Sequence, residues 1–361
     1  MTFLELMSDD IFKKLPLKYS DKTPFNEWIS EYLNIFLKKV RLLDNAPILR
    51  GDNYITASYI KEVQEEIVNG LIQAVQEYYN GYPAKAYEEL SKMLLSGEKN
   101  VYQIIKQYRY APNESFYRIR VQNHNYPFQK KELFHIPFEV RNKVSTQRYS
   151  IPSFPSLYLG RTLYVCWEEL KRPDINSFHV MRLTNQNEIK LLDLSPLKNE
   201  SPSIDEMYQF LMTFPLIACC SVKVKEPNNN FKPEYIVPQL IMQWVRENDK
   251  IDGIRYKSTH VSENLYLNES ECYNIVMPVS EINAKGYCNH LASIFEMTEP
   301  ISWQLYKIAN GESYIYWQEE LNKFDNKLPN LEIIKGQIHP YSSSVLGRLE
   351  LYIESLPVDK I

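Results

Sequence analysis

The chain has little cysteine, little glycine and few histidines, and each scarcity removes a class of function. Its five cysteines, Cys166, Cys219, Cys220, Cys272 and Cys288, contain no Cys-x-x-Cys pair. An odd number in a chain of 361 residues is no disulfide framework, and a reduced, cytoplasmic compartment is the expectation. The six histidines are scattered, with no His-Glu-x-x-His and no paired Cys/His spacing, so no metal site is expected. The ten glycines form neither Gly-x-Gly-x-x-Gly nor a Walker-type loop, which excludes dinucleotide binding through a Rossmann turn. No apolar run reaches the roughly 18 residues of a membrane span, and no charged stretch precedes a short apolar one as in a secretory leader. A net charge of -4 gives no bulk attraction to nucleic acid or to an anionic membrane, so neither is expected as a direct partner.

What is present suits a globular protein: 44% hydrophobic and 24% charged residues, in a chain long enough for two domains. The first third reads as all-α. Thr23-Pro24 has the form of an N-cap with proline at the first helical position, and Phe25, Trp28, Tyr32, Phe36, Val40 and Leu43 recur at helical spacing. A second helix is predicted from about Thr56 to Tyr79, with Ile60, Val63, Ile67, Leu71, Ala74 and Tyr78 on one face. A third covers Ala84 to Leu95 and ends at Ser96-Gly97.

The pattern changes near Pro112. Phe116 to Val121 alternates as a strand, with Tyr117, Ile119 and Val121 on one face and Phe116, Arg118 and Arg120 on the other. Ile151-Pro-Ser-Phe-Pro155 is a stiff extended approach to a short strand, Leu157-Tyr-Leu159, which Gly160 breaks. Thr162 to Leu170 reads as a helix on which Glu168 and Glu169 point about 100° apart. Glu169 is the one expected to face inward, with arginine as partner, and Glu168 is expected at the surface. Val180–Leu183, Ile189–Leu194, Leu216–Val224, Ile254–Tyr256 and Tyr273–Met277 read as strands, and a helix starts near Pro238. Strands in quantity, a few helices and no βαβ repeat give the α+β class.

Five polar residues stand out in this apolar region: Arg118, Arg148, Tyr158, Glu169 and Ser258. Two arginines, an aromatic hydroxyl, a carboxylate and a serine are the groups that could grip a diphosphate, fix a ribose and loosen a glycosidic bond. Each has a structural reading beside that one. Arg118 and Glu169 could form a buried ion pair, Tyr158 could be a core tyrosine, Arg148 a surface arginine and Ser258 a turn serine. Arg120 and Arg255 read as surface residues or as supports for the others.

Phe116-Tyr-Arg-Ile-Arg120, Thr146-Gln-Arg-Tyr149, Leu157-Tyr-Leu-Gly160 followed by Glu169, Tyr235–Trp244 and Asp252-Gly-Ile-Arg-Tyr-Lys-Ser258, closed by Tyr273-Asn-Ile-Val276, resemble the RES domain family. The resemblance departs from the common pattern at Tyr149-Ser150 and at Ser153, in the approach loop. It implies a split, mostly antiparallel sheet similar to ADP-ribosyltransferase toxins, with NAD as substrate in the cleft and a helix-turn-helix antitoxin as partner. It also implies roles: Arg118 and Arg148 on the dinucleotide, Tyr158 beside the nicotinamide, Glu169 as the catalytic acid, and Ser258 as the late serine. Residues 1–112 are then a helical accessory domain, 113–280 the catalytic domain and 281–361 an extension packed on it. The expected reaction is NAD cleavage by a toxin, as glycohydrolase or phosphorolase. ADP-ribosyl transfer to a host protein is the alternative, and a non-catalytic interaction protein built on the N-terminal helices the second. A carbohydrate hydrolase ranks last, because only one inward carboxylate is evident. The N-terminal helices are a candidate built-in regulator.

Overall fold

The computed structural model describes residues 1–20, 22–50, 53–95, 101–122, 126–197, 201–260, 272–310 and 330–361. Its main helices are, in chain order, α1 (Phe25–Arg41), α2 (Ala57–Tyr79), α3 (Pro83–Leu95), α4 (Leu163–Glu169), α5 (Ile204–Cys220), α6 (Ile236–Glu247) and α7 (Val345–Glu354). None of the described helices is long and apolar enough to cross a membrane. The chain forms two compact units, neither of them continuous in sequence. One holds Met1–Tyr108, Thr146–Ile151 and Leu192–Ile251; the other holds Arg109–Ser145, Pro152–Leu191 and Asp252–Ile361.

The first unit is helical, with α1, α2, α3, α5 and α6 packed around one core. Phe12, Phe36, Phe210 and Phe214 form a ring cluster in it, with centroids as close as 4.7 Å. Fully buried Gln64 on α2 donates to the Leu211 carbonyl of α5 at 3.0 Å, giving its amide nitrogen a partner inside the core. The buried stripe of α1 runs through Phe25, Ile29, Leu33, Phe36 and Val40, with Trp28 and Tyr32 on its flank. Pro24 itself holds the cap position there, with no side-chain cap bond, so Thr23 is not the cap. Leu216–Val224 is no strand. Leu216 to Cys220 are the last turn of α5, which opens in a capping box between Ser203 and Glu206. Every residue from Phe210 to Cys220 is buried, so α5 lacks the polar stripe by which an exposed helix is recognised, and its short apolar run resembles a buried strand. Ser96-Gly97 lies outside the described residues.

The second unit is built on the sheet. In chain order the strands are β1 (Gln107–Tyr110), β2 (Ser115–Val121), β3 (Ser156–Gly160), β4 (Phe178–Asn185), β5 (Ile189–Leu194), β6 (Gly253–Lys257), β7 (Tyr273–Pro278), β8 (Phe295–Met297) and β9 (Ile301–Ser302). Their order is β8-β4-β2-β3-β7-β6-β5-β1, with β9 also on β4. The pairs β2–β4, β3–β7, β6–β7, β4–β8 and β4–β9 are antiparallel. The class is α+β with a largely antiparallel sheet. The sheet is split in the middle: β2 and β3 meet at a single pair, Tyr117 opposite Gly160.

Each face carries its own core. Phe116, Leu157, Leu159, Met181, Ile275 and Met277 cover one face; Tyr117, Ile119 and Val180 on the other pack with α4, Trp303, Tyr306, Tyr341 and α7. Beside the first core lies His135, 1% exposed, whose Nε2 accepts the Cys288 amide at 2.8 Å while Nδ1 faces the Ile136 carbonyl. That pair of bonds needs the neutral ring with its proton on Nδ1. Burial pushes the imidazole down from 6.5 to about 4. Below about pH 6.5 the unfolded chain therefore takes up a proton that the folded chain refuses. Stability is expected to fall by about 1.4 kcal/mol per pH unit from 6.5 towards 4, about 3 kcal/mol in total, and to level off below. Urea unfolding of the protein and of His135→Gln across that range reads the effect as their difference. A difference constant with pH would assign the acid sensitivity to other groups.

Candidate active site

The site grows out of the split. On β2, Arg118 stands opposite Met181, so it leaves the sheet on the face of Phe116. Past the Tyr117–Gly160 pair the two strands separate, and the Tyr158 carbonyl faces the gap. Arg118 Nη1 donates to it at 2.9 Å, a side chain supplying the donor that a continuous ladder would have given. Arg118 is half-buried, and its Nε is sealed from solvent with no hydrogen-bond partner among the described residues. Burial pushes its pKa down to about 10, with Arg120 adding to the shift while Cys166 and Tyr158 oppose it. The guanidinium stays charged at neutral pH, only partly compensated.

Glu169 approaches from the other face. It is the last residue of α4, and its Oε1 accepts from Asn274 Nδ2 of β7 at 2.7 Å. Asn274 lies opposite Gly160, and Tyr158 lies opposite Val276, so Asn274 and Tyr158 share the face on which α4 packs. Tyr158 is half-buried. Close approach of α4 to β3 depends on Gly160, where a Cβ would stand 2.6 Å from Cys166 Sγ. Cys166 lies within electrostatic reach of both Arg118 and Glu169, and burial pushes its thiol up to about 12. It is therefore a protonated neighbour and no nucleophile at neutral pH.

Glu168 is not at the surface. It is 4% exposed and takes Arg172 in a two-pronged pair at 2.9 and 3.0 Å, with the guanidinium over the Trp167 ring. Lys171 and Arg172 both have positive φ, 61° and 57°, a left-handed exit that costs non-glycine residues about 1 kcal/mol each. The Glu168–Arg172 pair holds that exit and so fixes the end of α4 at Glu169. Seven residues between sheet and extension leave α4 no fully solvated side, which is why both glutamates turn in. Glu169 has asparagine where arginine was expected, and no ion pair joins it to Arg118 among the described residues.

Ser258 follows β6 and is buried; its Oγ accepts the His260 amide at 3.2 Å, and its own amide points to the Cys272 carbonyl. Continued from Tyr256 opposite Asn274, the register puts it on the Glu169 face. Arg148 belongs to the first unit, where Nη1 donates to the Cys220 carbonyl at 2.9 Å and the guanidinium lies over Tyr235. Within the second unit, then, Tyr158, Glu169 and Ser258 belong to one face of the sheet and Arg118 to the other, joined to β3 through the Tyr158 carbonyl. Arg120 is exposed and rests on Phe128. Arg255 is no surface residue: at 1% exposed it donates to Tyr110 Oη and stacks 3.7 Å from the Tyr273 ring centre. Asn274 was missed, although an amide inside the wholly buried run Tyr273–Pro278 was a visible signal that it had a polar partner. No cluster of His, Cys, Asp or Glu among the described residues could hold a metal.

No solved structure matches this fold. The family model described as the RES domain matches residues 115–285, a span holding every residue of the set. The Bacillus subtilis (strain 168) protein named "Putative toxin YopC" is 32% identical over 342 residues, covering 89% of this chain and 74% of that one. On the strength of that match and of the motif-bearing strands just described, the chain belongs to the RES domain family.

Proposed function

We propose that this protein cleaves the nicotinamide–ribose bond of NAD and acts as a toxin. One observation supports the reading: a charged, half-buried Arg118, its Nε without a hydrogen-bond partner among the described residues, sits at the split, and on the other face Asn274 holds the Glu169 carboxylate in place. An anion such as a diphosphate is the natural complement of that guanidinium, which offers planar paired donors. Departure of nicotinamide leaves an oxocarbenium-like ribose, and the leaving group is neutral once the bond breaks, so no strong acid is needed. Glu169 answers the developing positive charge and the ribose hydroxyls. Tyr158 offers a ring to nicotinamide. Ser258 orients a polar group. In hydrolysis, NAD and water give nicotinamide, ADP-ribose and a proton; phosphate or a protein side chain in place of water gives phosphorolysis or ADP-ribosyl transfer. The toxin role rests on the printed name of the Bacillus relative, and a helix-turn-helix antitoxin is the partner that such a role calls for.

The test is NAD loss and nicotinamide release by the purified protein, with and without inorganic phosphate. Equal amounts of nicotinamide and ADP-ribose are expected without phosphate, and a phosphorylated ADP-ribose with it would identify phosphorolysis. Intact NAD after prolonged incubation would reject the reading.

A further inference from the structure

The helix that ends in Glu169 does not hold its own beginning. At seven residues α4 is too short to persist by itself, and its first amides need acceptors from elsewhere. The Val165 amide finds the Thr162 hydroxyl at 3.2 Å. The two amides before it are taken by residues beyond the family match, which stops at 285. Leu163 N–H donates to Glu350 Oε2 at 2.7 Å, and Tyr164 N–H to the Tyr341 hydroxyl at 3.3 Å. Tyr341 in turn donates to the same Glu350 oxygen at 2.6 Å, so the hydroxyl is fixed as acceptor to the helix and donor to the carboxylate. Both side chains are buried, Tyr341 at 0% and Glu350 at 3% exposed. A carboxylate at this end also complements the helix dipole.

The segment that delivers these groups is built for close contact. A Cβ at Gly347 would lie 2.0 Å from the Tyr341 carbonyl oxygen, a backbone atom, so only glycine lets α7 fold back on the Tyr341 turn. Leu346, Leu349 and Ile353 then pack in one core with Leu163, Tyr164 and Val165. One turn beyond Glu350, Glu354 binds both Arg182 of β4 and the Tyr117 hydroxyl of β2. The α7 carboxylates thus tie one helix to the residue before Arg118 on β2 and to the start of the helix that carries Glu169.

We infer that Glu350 and Tyr341 are positioning residues for the NAD-cleaving carboxylate, acting through the N-terminus of α4. This rests on the proposed reaction for its kinetic consequence but not for its structural one. A displacement of about 1 Å at a reacting group lowers turnover on the order of tenfold to a hundredfold, while binding made elsewhere is spared. Glu350→Ala is expected to lower kcat by that range with KM changed less than about twofold. Glu350→Gln keeps an oxygen for the Leu163 amide and is expected to restore kcat to within about threefold of the unaltered protein.

The experiment measures kcat and KM in the full chain for Glu350→Ala, Glu350→Gln and Tyr341→Phe, with amide exchange followed across residues 163–169 and across β4. Faster exchange confined to 163–169, with kcat lost and KM kept, is the expected result. If Glu350→Ala fails to fold, Tyr341→Phe, which removes a single hydroxyl, decides by the same two readouts. Unchanged kcat with α4 still protected would overturn the inference, and so would exchange rising equally in α4 and β4. If the unaltered protein leaves NAD intact, the proposed reaction falls; exchange localised to α4 would still establish the clamp, and its absence would remove that too.

Discussion

Glu169→Gln is expected to slow nicotinamide release on the order of 10²- to 10³-fold with KM for NAD little changed. Glutamine matches the shape of glutamate and can still accept the Asn274 amide at the 2.7 Å contact. The one thing removed is the negative charge, which matters only as the ribose turns positive on the way to cleavage. Ground-state binding, assigned to Arg118 and its neighbours, stays. A variant retaining more than a tenth of the rate would show that the charge is not used. A rise in KM with kcat unchanged would make Glu169 a binding residue. Nicotinamide release over a range of NAD concentrations separates these cases.

Deleting residues 1–108 is expected to abolish folding of the first unit rather than to release a restrained enzyme. The helical segment looked separable in sequence because its three stripes close within the first 110 or so residues. The structure interleaves it with Leu192–Ile251. Phe12 and Phe36 pack on Phe210 and Phe214, Tyr102 packs on Trp244, and Gln64 holds the Leu211 carbonyl. Exposing Phe210, Phe214 and Trp244 alone forfeits about 6 kcal/mol at roughly 2 kcal/mol per large apolar side chain. That approaches the whole stability of an ordinary domain, about 5–15 kcal/mol. Expression of residues 109–361 should give insoluble or rapidly degraded protein with no NAD turnover. A soluble fragment cleaving NAD faster than the full chain would instead establish the N-terminal helices as a detachable regulator.

Much of this architecture is visible in the residues, for reasons that also explain the misses. The stripes of α1 and α2 are periodic because each helix has one buried side and one wet side, and β2 alternates because Tyr117 and Ile119 enter one core while Arg118 and Arg120 share the other face with Phe116. Helix α5 has no wet side, and the same rule misreads its last turn as a strand. Arg118, Tyr158 and Glu169 could be picked out because a polar group in an apolar run needs a partner, but sequence does not name that partner. It turned out to be a carbonyl for Arg118 and an asparagine for Glu169. Glu168 was misplaced because burial of a charge depends on a second residue, here Arg172, and sequence could not choose between surface and support for Arg255, which is buried against Tyr110 and Tyr273. The contribution of Glu350 was invisible, since 187 residues separate it from the amide it accepts.

The interleaving also sets a timetable for the growing chain. Ribosomes add roughly 5–20 residues per second. The first unit cannot close until Ile251 has followed Tyr108, a gap of 143 residues, or roughly 7–30 s of synthesis. The amide of Leu163 waits longer still, roughly 10–40 s, for a carboxylate made 187 residues later. Through the first interval α1, α2 and α3 lack the α5 and α6 side of their core, and through the second the helix bearing Glu169 has no clamp at its start. A nascent chain of this topology is exposed to chaperones and proteases while it waits, and the Leu163 amide meets its carboxylate only when translation has carried the chain past Glu350.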